Sequence, residues 1–130
     1  SRFWPVEPGQ VTDVGPLDRV TEIIREKIYR HLHREVPHHV TQVNRLFKVL
    51  DGPGKKVYLI EQELVVRTKS HRRLVQGRSG ATLSRIQQTA QRDISAAFDG
   101  ATVKLSLFVK HTKAQHIRSV DTGDMMSLMD

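Results

Sequence analysis

The spacing of apolar residues changes along this chain, and the order of the changes restricts the folds that it can adopt. Apolar side chains recur every three or four residues between Val20 and Leu32, which is the period of a helix with one buried face. Asp18 is a suitable N-cap, and Pro37 ends the pattern because proline cannot continue a helix. A first helix of about four turns is predicted between them.

Two strands joined by a tight turn are predicted next. Segments 40–50 and 57–68 are rich in β-branched and apolar residues, and Asp51-Gly52-Pro53-Gly54 between them has the backbone freedom that a hairpin turn needs. In the second segment apolar and charged side chains alternate, which places one face of the strand against a core. The apolar positions are Tyr58, Ile60, Leu64 and Val66, and the charged ones are Glu61, Glu63 and Arg67.

Two helices and a third strand complete the pattern. A short helix over 71–76, capped by Ser70, ends at Gly77, and a longer helix follows with an apolar stripe over 83–97. Strict alternation over 102–110 then predicts a strand. The expected fold is α+β in the order α-β-β-α-α-β, with the helices packed on one face of a three-stranded mixed sheet.

The two ends of the chain lack a periodic spacing of apolar residues. Proline and glycine recur through 1–17, so this stretch is expected to be a linker to a domain that spans 18–113. Residues 114–130 contain three methionines but no turn or cap signals, and a disordered tail is expected there. The chain starts with Ser1 and shows no targeting peptide, so we expect it to be a fragment whose targeting segment, if any, lies upstream.

Basic residues concentrate around the short helix. The chain has 21 Lys and Arg against 14 Asp and Glu, and the whole excess falls in 64–92, which holds seven basic and no acidic side chains. Such a field attracts a polyanion, although a solvated basic face is an equally good interpretation of the charge alone. No apolar run reaches the roughly 18 residues of a membrane span, and the chain has no cysteine for disulfides or thiolate sites.

The sequence Gly77-Arg78-Ser79-Gly80 lies between the two later helices, inside the acid-free stretch. Glycines at this spacing let a backbone pass close to a ligand, and the positive end of the second helix favours a phosphate there. Gly-x-x-Gly alone is a weak signal, because it often only ends one helix and begins another. Its position between an arginine-rich helix and an amphipathic helix predicts a site for single-stranded RNA.

Three further segments carry a resemblance to a known family. They are Gln10-Val11-Thr12-Asp13, Glu22-Ile23-Ile24-Arg25-Glu26-Lys27 and Glu35-Val36-Pro37, and the glycine loop and third strand follow them in register. Together they resemble the entry segment, first helix and helix exit of the type II K-homology (KH) domain in the carboxy-terminal half of Era-type GTPases. The similarity covers roughly residues 5–110. Era-type loops commonly read Gly-Lys-Gly-Gly, whereas here Ser79 replaces a glycine.

The resemblance implies binding of small-subunit ribosomal RNA near its 3′ end during assembly of the small ribosomal subunit, with no DNA target. It also implies a missing amino-terminal domain that hydrolyses GTP with Mg²⁺. No Gly-x-x-x-x-Gly-Lys-Ser/Thr occurs here, so this fragment is expected to hold no cofactor and to have no catalytic residues. The long tail and the basic turn favour an organellar protein, for example of the mitochondrial matrix, over a bacterial cytoplasmic one.

The predicted RNA contacts are the glycine loop and its flanks. In KH domains this loop clamps the backbone of about four nucleotides, while the bases lie against an adjacent apolar groove. Leu83 and Ile86 are expected to serve both core and groove. The predicted contact residues are Gly77, Arg78, Ser79, Gly80, Arg72, Arg73, Leu74, Val75, Leu83, Arg85 and Ile86.

Other functions are weaker interpretations of the same residues. His31 and His33 point about 200° apart on a helix and cannot chelate one ion together, so no metal site is predicted. His38 and His39 are expected near the start of a strand, and His71 on the basic surface near the loop. The alternative function is a protein-interaction module that docks on a ribosomal or assembly protein through the open face of the sheet, without contacting RNA.

Overall fold

A computed structural model describes residues 14–113 of the chain. Most of the predicted linker, residues 1–13, and the predicted tail, residues 114–130, lie outside the described residues. The order of helices and strands confirms the predicted α-β-β-α-α-β arrangement. The elements are α1 (Val14–His31), β1 (Thr41–Asp51), β2 (Lys56–Val66), α2 (Lys69–Gln76), α3 (Ala81–Ala97) and β3 (Thr102–His111), with 3₁₀ turns at Val36–His39 and Arg78–Gly80.

The three strands form one mixed sheet in the order β1-β2-β3. β1 and β2 are an antiparallel hairpin, with Thr41 opposite Val65 and Asp51 opposite Lys56. β3 pairs parallel with β2, which is possible because α2 and α3 carry the chain back to the same end of the sheet. This crossover also places the turn between α2 and α3 beyond the carboxyl end of β2.

The core lies between the sheet and the three helices. Alternation along β2 is as predicted, because Tyr58, Ile60, Leu64 and Val66 face the helices. No helix within residues 14–113 has the length and apolar composition to cross a membrane. The core side chains that are almost completely buried are Val20, Ile24, Ile28, Ile60, Leu64, Val66, Val75, Ile86, Ala90 and Ile94.

Two helix starts differ from prediction. The first described residue, Val14, already belongs to α1, so Asp18 lies inside the helix and is not its N-cap. Pro16 is tolerated because the first N–H groups of a helix have no partner within it. α2 is capped by Thr68, whose Oγ1 accepts from the N–H of His71 at 3.0 Å, so the prediction of Ser70 as the cap was wrong.

Gln62 is a buried polar residue on the inner face of β2. Its amide nitrogen donates to Oγ1 of Thr21 at 3.1 Å, and its Oε1 accepts from Nε2 of Gln42 at 3.0 Å. Hydrogen bonding offsets the cost of burying the amide. The network ties α1 to both strands of the hairpin.

The free edge of β3 is covered by α3. The N–H of Leu105 donates to Oε1 of Gln91 at 3.2 Å, and the N–H of Leu107 donates to Oε1 of Gln87 at 2.9 Å. Unpaired strand edges attract other chains, and the two glutamines protect this one.

Lys27 joins α1 to α3 from a buried position, with only 4% of the residue exposed. Its Nζ lies 2.5 Å from Oδ2 of Asp93 and 2.9 Å from Oε1 of Glu26. The hydrogen bond to Asp93 raises the pKa of Lys27, and the same bond lowers the pKa of Asp93. The charged forms of both groups therefore stabilise the fold at neutral pH.

Asp93→Asn is expected to lower the free energy of unfolding by about 1–2 kcal/mol at neutral pH, since Glu26 still partners the lysine. The lowered pKa of Asp93 means that its contribution is lost as the pH falls through and below about 4. Urea unfolding at about pH 7 and about pH 3 measures both effects. Asp51→Asn at the exposed end of β1 is the control. If the Asp93 variant is as much less stable than the wild type at about pH 3 as at about pH 7, the ion pair with Lys27 does not supply the stability.

Candidate nucleic-acid interface

The four residues between α2 and α3 form one tight turn. The N–H of Gly77 donates to the carbonyl of Arg73 at 2.8 Å, and the N–H of Gly80 donates to the carbonyl of Gly77 at 3.2 Å. Three of the four residues have a positive φ, namely 75° at Gly77, 54° at Ser79 and 78° at Gly80. The glycine loop therefore forms between two helices, where the sequence predicts it.

Gly77 cannot carry a side chain. Its φ of 75° and ψ of −179° lie in a region that essentially only glycine occupies. A Cβ would also lie 2.2 Å from Oγ1 and 2.7 Å from the backbone nitrogen of Thr82. At Gly80 a Cβ would meet nothing within 4 Å, so only the left-handed backbone favours glycine there. Gly77 thus lets the end of α2 approach the start of α3.

The first amide groups of α3 face the loop. Gly80 is the N-cap and offers no side-chain hydrogen bond, and the first turn of α3 contains no acidic residue. The opening N–H groups of a helix have no partner within it and carry the positive end of its dipole. This end of α3 can therefore accept an anion such as a phosphate.

Four exposed arginines belong to the loop and to the helices on either side of it, namely Arg72 and Arg73 in α2, Arg78 in the loop and Arg85 in α3. None of them forms an ion pair with the residues that the structure describes. No ion pair with a described residue therefore neutralises their positive field at the surface where the loop opens.

Two of the predicted contact residues belong to the core instead. Val75 and Ile86 are completely buried, because each lies on the inner side of its helix and packs among the other core residues. Leu83 is partly buried against the same core, while Leu74 is 51% exposed beside the loop. Val75 and Ile86 therefore hold the helices that carry the loop and have no surface with which to touch RNA.

Three of the described histidines, His38, His39 and His71, meet at the 3₁₀ turn that precedes β1. His38 and His39 belong to that turn and not to the strand, and Nδ1 of His38 lies 3.1 Å from the hydroxyl of Tyr29. The ring of His71 stacks on His39, with centroids 4.8 Å apart, and its Nε2 lies 3.7 Å from Oε2 of Glu35. His71 therefore packs on the 3₁₀ turn. Within 14–113 no three His, Asp or Glu side chains are grouped to hold a metal ion.

Curated proteins of similar sequence are Era GTPases. GTPase Era of Afipia carboxidovorans is 38% identical over 101 residues, and GTPase Era of Clostridium perfringens is 36% identical over 112 residues. No family model matches the chain. The chain belongs to the Era family. It spans about a third of the length of these relatives, since the two matches cover 78% and 86% of this chain but 32% and 36% of the relatives, and it corresponds to their carboxy-terminal part.

Solved Era structures share the fold. Aquifex aeolicus Era bound to GDP·AlF4⁻ has a TM-score of 0.65 with this chain at 23% identity, covering 86% of this chain and 37% of that one. Era in complex with MgGDPNP and nucleotides 1506–1542 of 16S ribosomal RNA gives the same values. The likeness confirms the α+β KH fold that the Era resemblance implies.

Ser79 is the departure from the common Era-type loop. Its φ of 54° and ψ of 29° are left-handed, a conformation that costs a residue with a side chain about 1 kcal/mol or more. The side chain is exposed. The Era-type turn thus closes with serine at a position that suits glycine better.

Two residues beside the loop were missed by the sequence patterns. The chain leaves α1 at His31, and Arg34, with a φ of 58°, redirects it into the Era-type segment Glu35-Val36-Pro37. As a result His33 and Arg34 line one groove together with Gly77. No periodic signal marks them, because their position depends on one left-handed residue and on the packing of α1 against α3.

Proposed function

We propose that this chain binds single-stranded RNA, with the phosphate backbone resting on Gly77-Arg78-Ser79-Gly80. One observation carries the proposal: the start of α3 has no side-chain cap and no acidic residue, and the four exposed arginines of α2, the loop and the first half of α3 form no ion pair within residues 14–113. Amide groups and guanidinium groups together suit a phosphodiester, and such a surface is used in KH domains to hold about four nucleotides.

The Era family suggests the finer target. Era has been crystallised with nucleotides of 16S ribosomal RNA, which supports ribosomal RNA as the partner class. We propose small-subunit ribosomal RNA near its 3′ end as the target and assembly of the small ribosomal subunit as the setting. GTP hydrolysis with Mg²⁺ would belong to the part of the Era relatives that this chain does not span, and an organellar location stays a prediction from the sequence.

Binding should weaken steeply with salt. On single strands the slope of log K against log salt is about −0.7 for each phosphate contacted, so about four contacts give a slope near −3. Between about 50 and 200 mM salt the affinity should then fall about 50-fold. Fluorescence anisotropy with a labelled single-stranded RNA measures this slope, and DNA of the same sequence tests whether the site requires RNA.

The alternative function predicts a different salt response. A protein-interaction module would use the open face of the sheet, where Phe108 is 50% exposed. It would bind its protein partner with little dependence on salt and would show no measurable affinity for RNA. RNA affinity that is absent, or that stays flat over the same salt range, contradicts the proposal.

A further inference from the structure

A groove runs from the glycine loop to the end of α1. It encloses about 590 Å³, which lies within the range of about 300–1,000 Å³ typical of small-molecule sites. The end of α1 and the turn after it form one wall, and α2, the loop and the start of α3 form the other. Residues on the two walls include His33 and Arg34 on the first and Leu74, Arg78, Thr82 and Arg85 on the second.

The charge of the groove is strongly one-sided. Arg34, Arg73, Arg78 and Arg85 line it, all four are exposed, and none has an ion-pair partner among residues 14–113. The one acidic lining residue, Glu35, has its carboxylate 3.7 Å from Nε2 of His71. A groove with this balance favours a polyanion over a neutral or cationic ligand.

The groove also has an apolar component. Leu32 and Val36 are buried at its floor, and Leu74 is half-exposed on its wall. Guanidinium groups next to apolar side chains suit a nucleotide, because the base can stack on a guanidinium plane or an apolar side chain while an arginine neutralises the phosphate. An acidic peptide would use the charge but would gain less from the apolar floor.

His31 adds a polar group that lacks a partner. Its Nε2 is buried and forms no hydrogen bond with the described residues. Burial and then the charge of Arg85 lower the pKa of His31, so the ring is neutral at physiological pH. A buried nitrogen without a partner is costly, and because it has almost no accessible surface a ligand can reach it only if the ring moves. His31 nevertheless lines the groove, so bound RNA would lie beside its ring.

The groove is continuous with the proposed phosphate site, because Gly77 and Arg78 belong to both. An RNA strand bound at the loop must therefore pass the mouth of the groove on either its 5′ or its 3′ side. We propose that the groove binds the nucleotides that follow those held by the loop, with Arg34 as a phosphate ligand. This subsite extends the proposed RNA function and rests on it.

The expected result is a gain in affinity with RNA length that depends on Arg34. We compare a single-stranded RNA of about four nucleotides with RNAs lengthened to about eight at the 5′ or the 3′ end. In the wild-type 130-residue chain, lengthening at one end should tighten binding about tenfold. Arg34→Gln should remove most of that gain and leave the affinity for the short RNA within about twofold.

Arg25→Gln is the matched control, since it removes an exposed arginine from α1 at a position outside the groove. It should leave the length-dependent gain unchanged. In addition, the imidazole NMR signals of His31 and His33 should shift with the long RNA and not with the short one.

The outcomes separate this subsite from the proposed function. If the wild-type chain binds no short RNA, the proposed function fails. If it binds short RNA but gains nothing at either end, or if Arg34→Gln weakens short and long RNA equally, the subsite is wrong and the loop site stands. An oligo-glutamate peptide could also compete for the groove. If it abolishes the extra affinity of the longer RNA, leaves the short RNA bound, and binds the chain as tightly as the longer RNA does, the groove is a peptide site and the subsite is overturned.

Discussion

Replacing both inner residues of the loop by aspartate (Arg78→Asp with Ser79→Asp) is expected to weaken binding of single-stranded RNA by about a hundredfold or more. The change removes one guanidinium group and places two carboxylates where the phosphates should lie. Like charges brought together at an interface cost several kcal/mol, and each 1.4 kcal/mol is about tenfold in affinity. Anisotropy titration with a labelled RNA at fixed salt measures the loss.

The chain should stay folded in this variant. Both side chains are exposed, and neither contributes to the core. Aspartate is among the residues that adopt the left-handed region more readily, so the φ of 54° at position 79 does not obstruct the change. An unchanged circular dichroism spectrum and melting temperature would verify that lost binding is not lost structure.

A control with the same change in net charge is available at the hairpin turn. Pro53→Asp with Lys55→Asp also alters the charge by three units, at exposed positions. The turn lies at the opposite end of β2 from the loop, about 35 Å away for an 11-residue strand. We expect only a few-fold loss from the weaker general field, and equal losses in the two double variants would contradict a localised phosphate site.

Periodicity predicted the elements of this fold well, because each helix and strand buries one face. The alternation along β2 and the apolar stripe of α3 reflect that burial. Gly77 marks a backbone that other residues cannot adopt, and Gly80 marks a left-handed one that favours glycine. Helix ends were less predictable. Thr68 and Ser70 are both suitable caps by type, with serine the better one, and only the path of the chain from β2 into α2 selects Thr68.

The limits of prediction at the site have a physical cause. Val75 and Ile86 are apolar residues next to the loop, and sequence alone does not separate an apolar residue of a groove from one of the core. Packing of α2 and α3 on the sheet decides for the core. Arg34 is the opposite case, since a long-range contact between helix ends brings it to the loop from 43 residues away in sequence, counting from 34 to 77.

Among single substitutions that add a methyl group to the loop, Gly77→Ala is expected to reduce stability and RNA binding the most. The free energy of unfolding should fall by about 3 kcal/mol, because the backbone leaves a glycine-only region and the new Cβ meets Thr82. RNA affinity should fall more than tenfold even where the chain is folded, since α3 must move away from the loop to make room. Urea unfolding and RNA titration at low temperature measure the two effects separately.

Alanine substitutions at two other glycines with positive φ measure how much of the stability loss in Gly77→Ala is due to the steric clash with Thr82. Gly80→Ala and Gly54→Ala add a Cβ that meets nothing within 4 Å, so each should cost only about 1 kcal/mol for the left-handed backbone. Gly54→Ala, in the hairpin turn, should leave RNA binding unchanged. Adding Thr82→Ala to Gly77→Ala should restore only part of the stability, because the backbone nitrogen of Thr82 stays 2.7 Å from the new Cβ. If Gly77→Ala behaves like Gly54→Ala in both assays, the close approach of α2 and α3 at Gly77 does not hold the loop, and the phosphate site cannot depend on it.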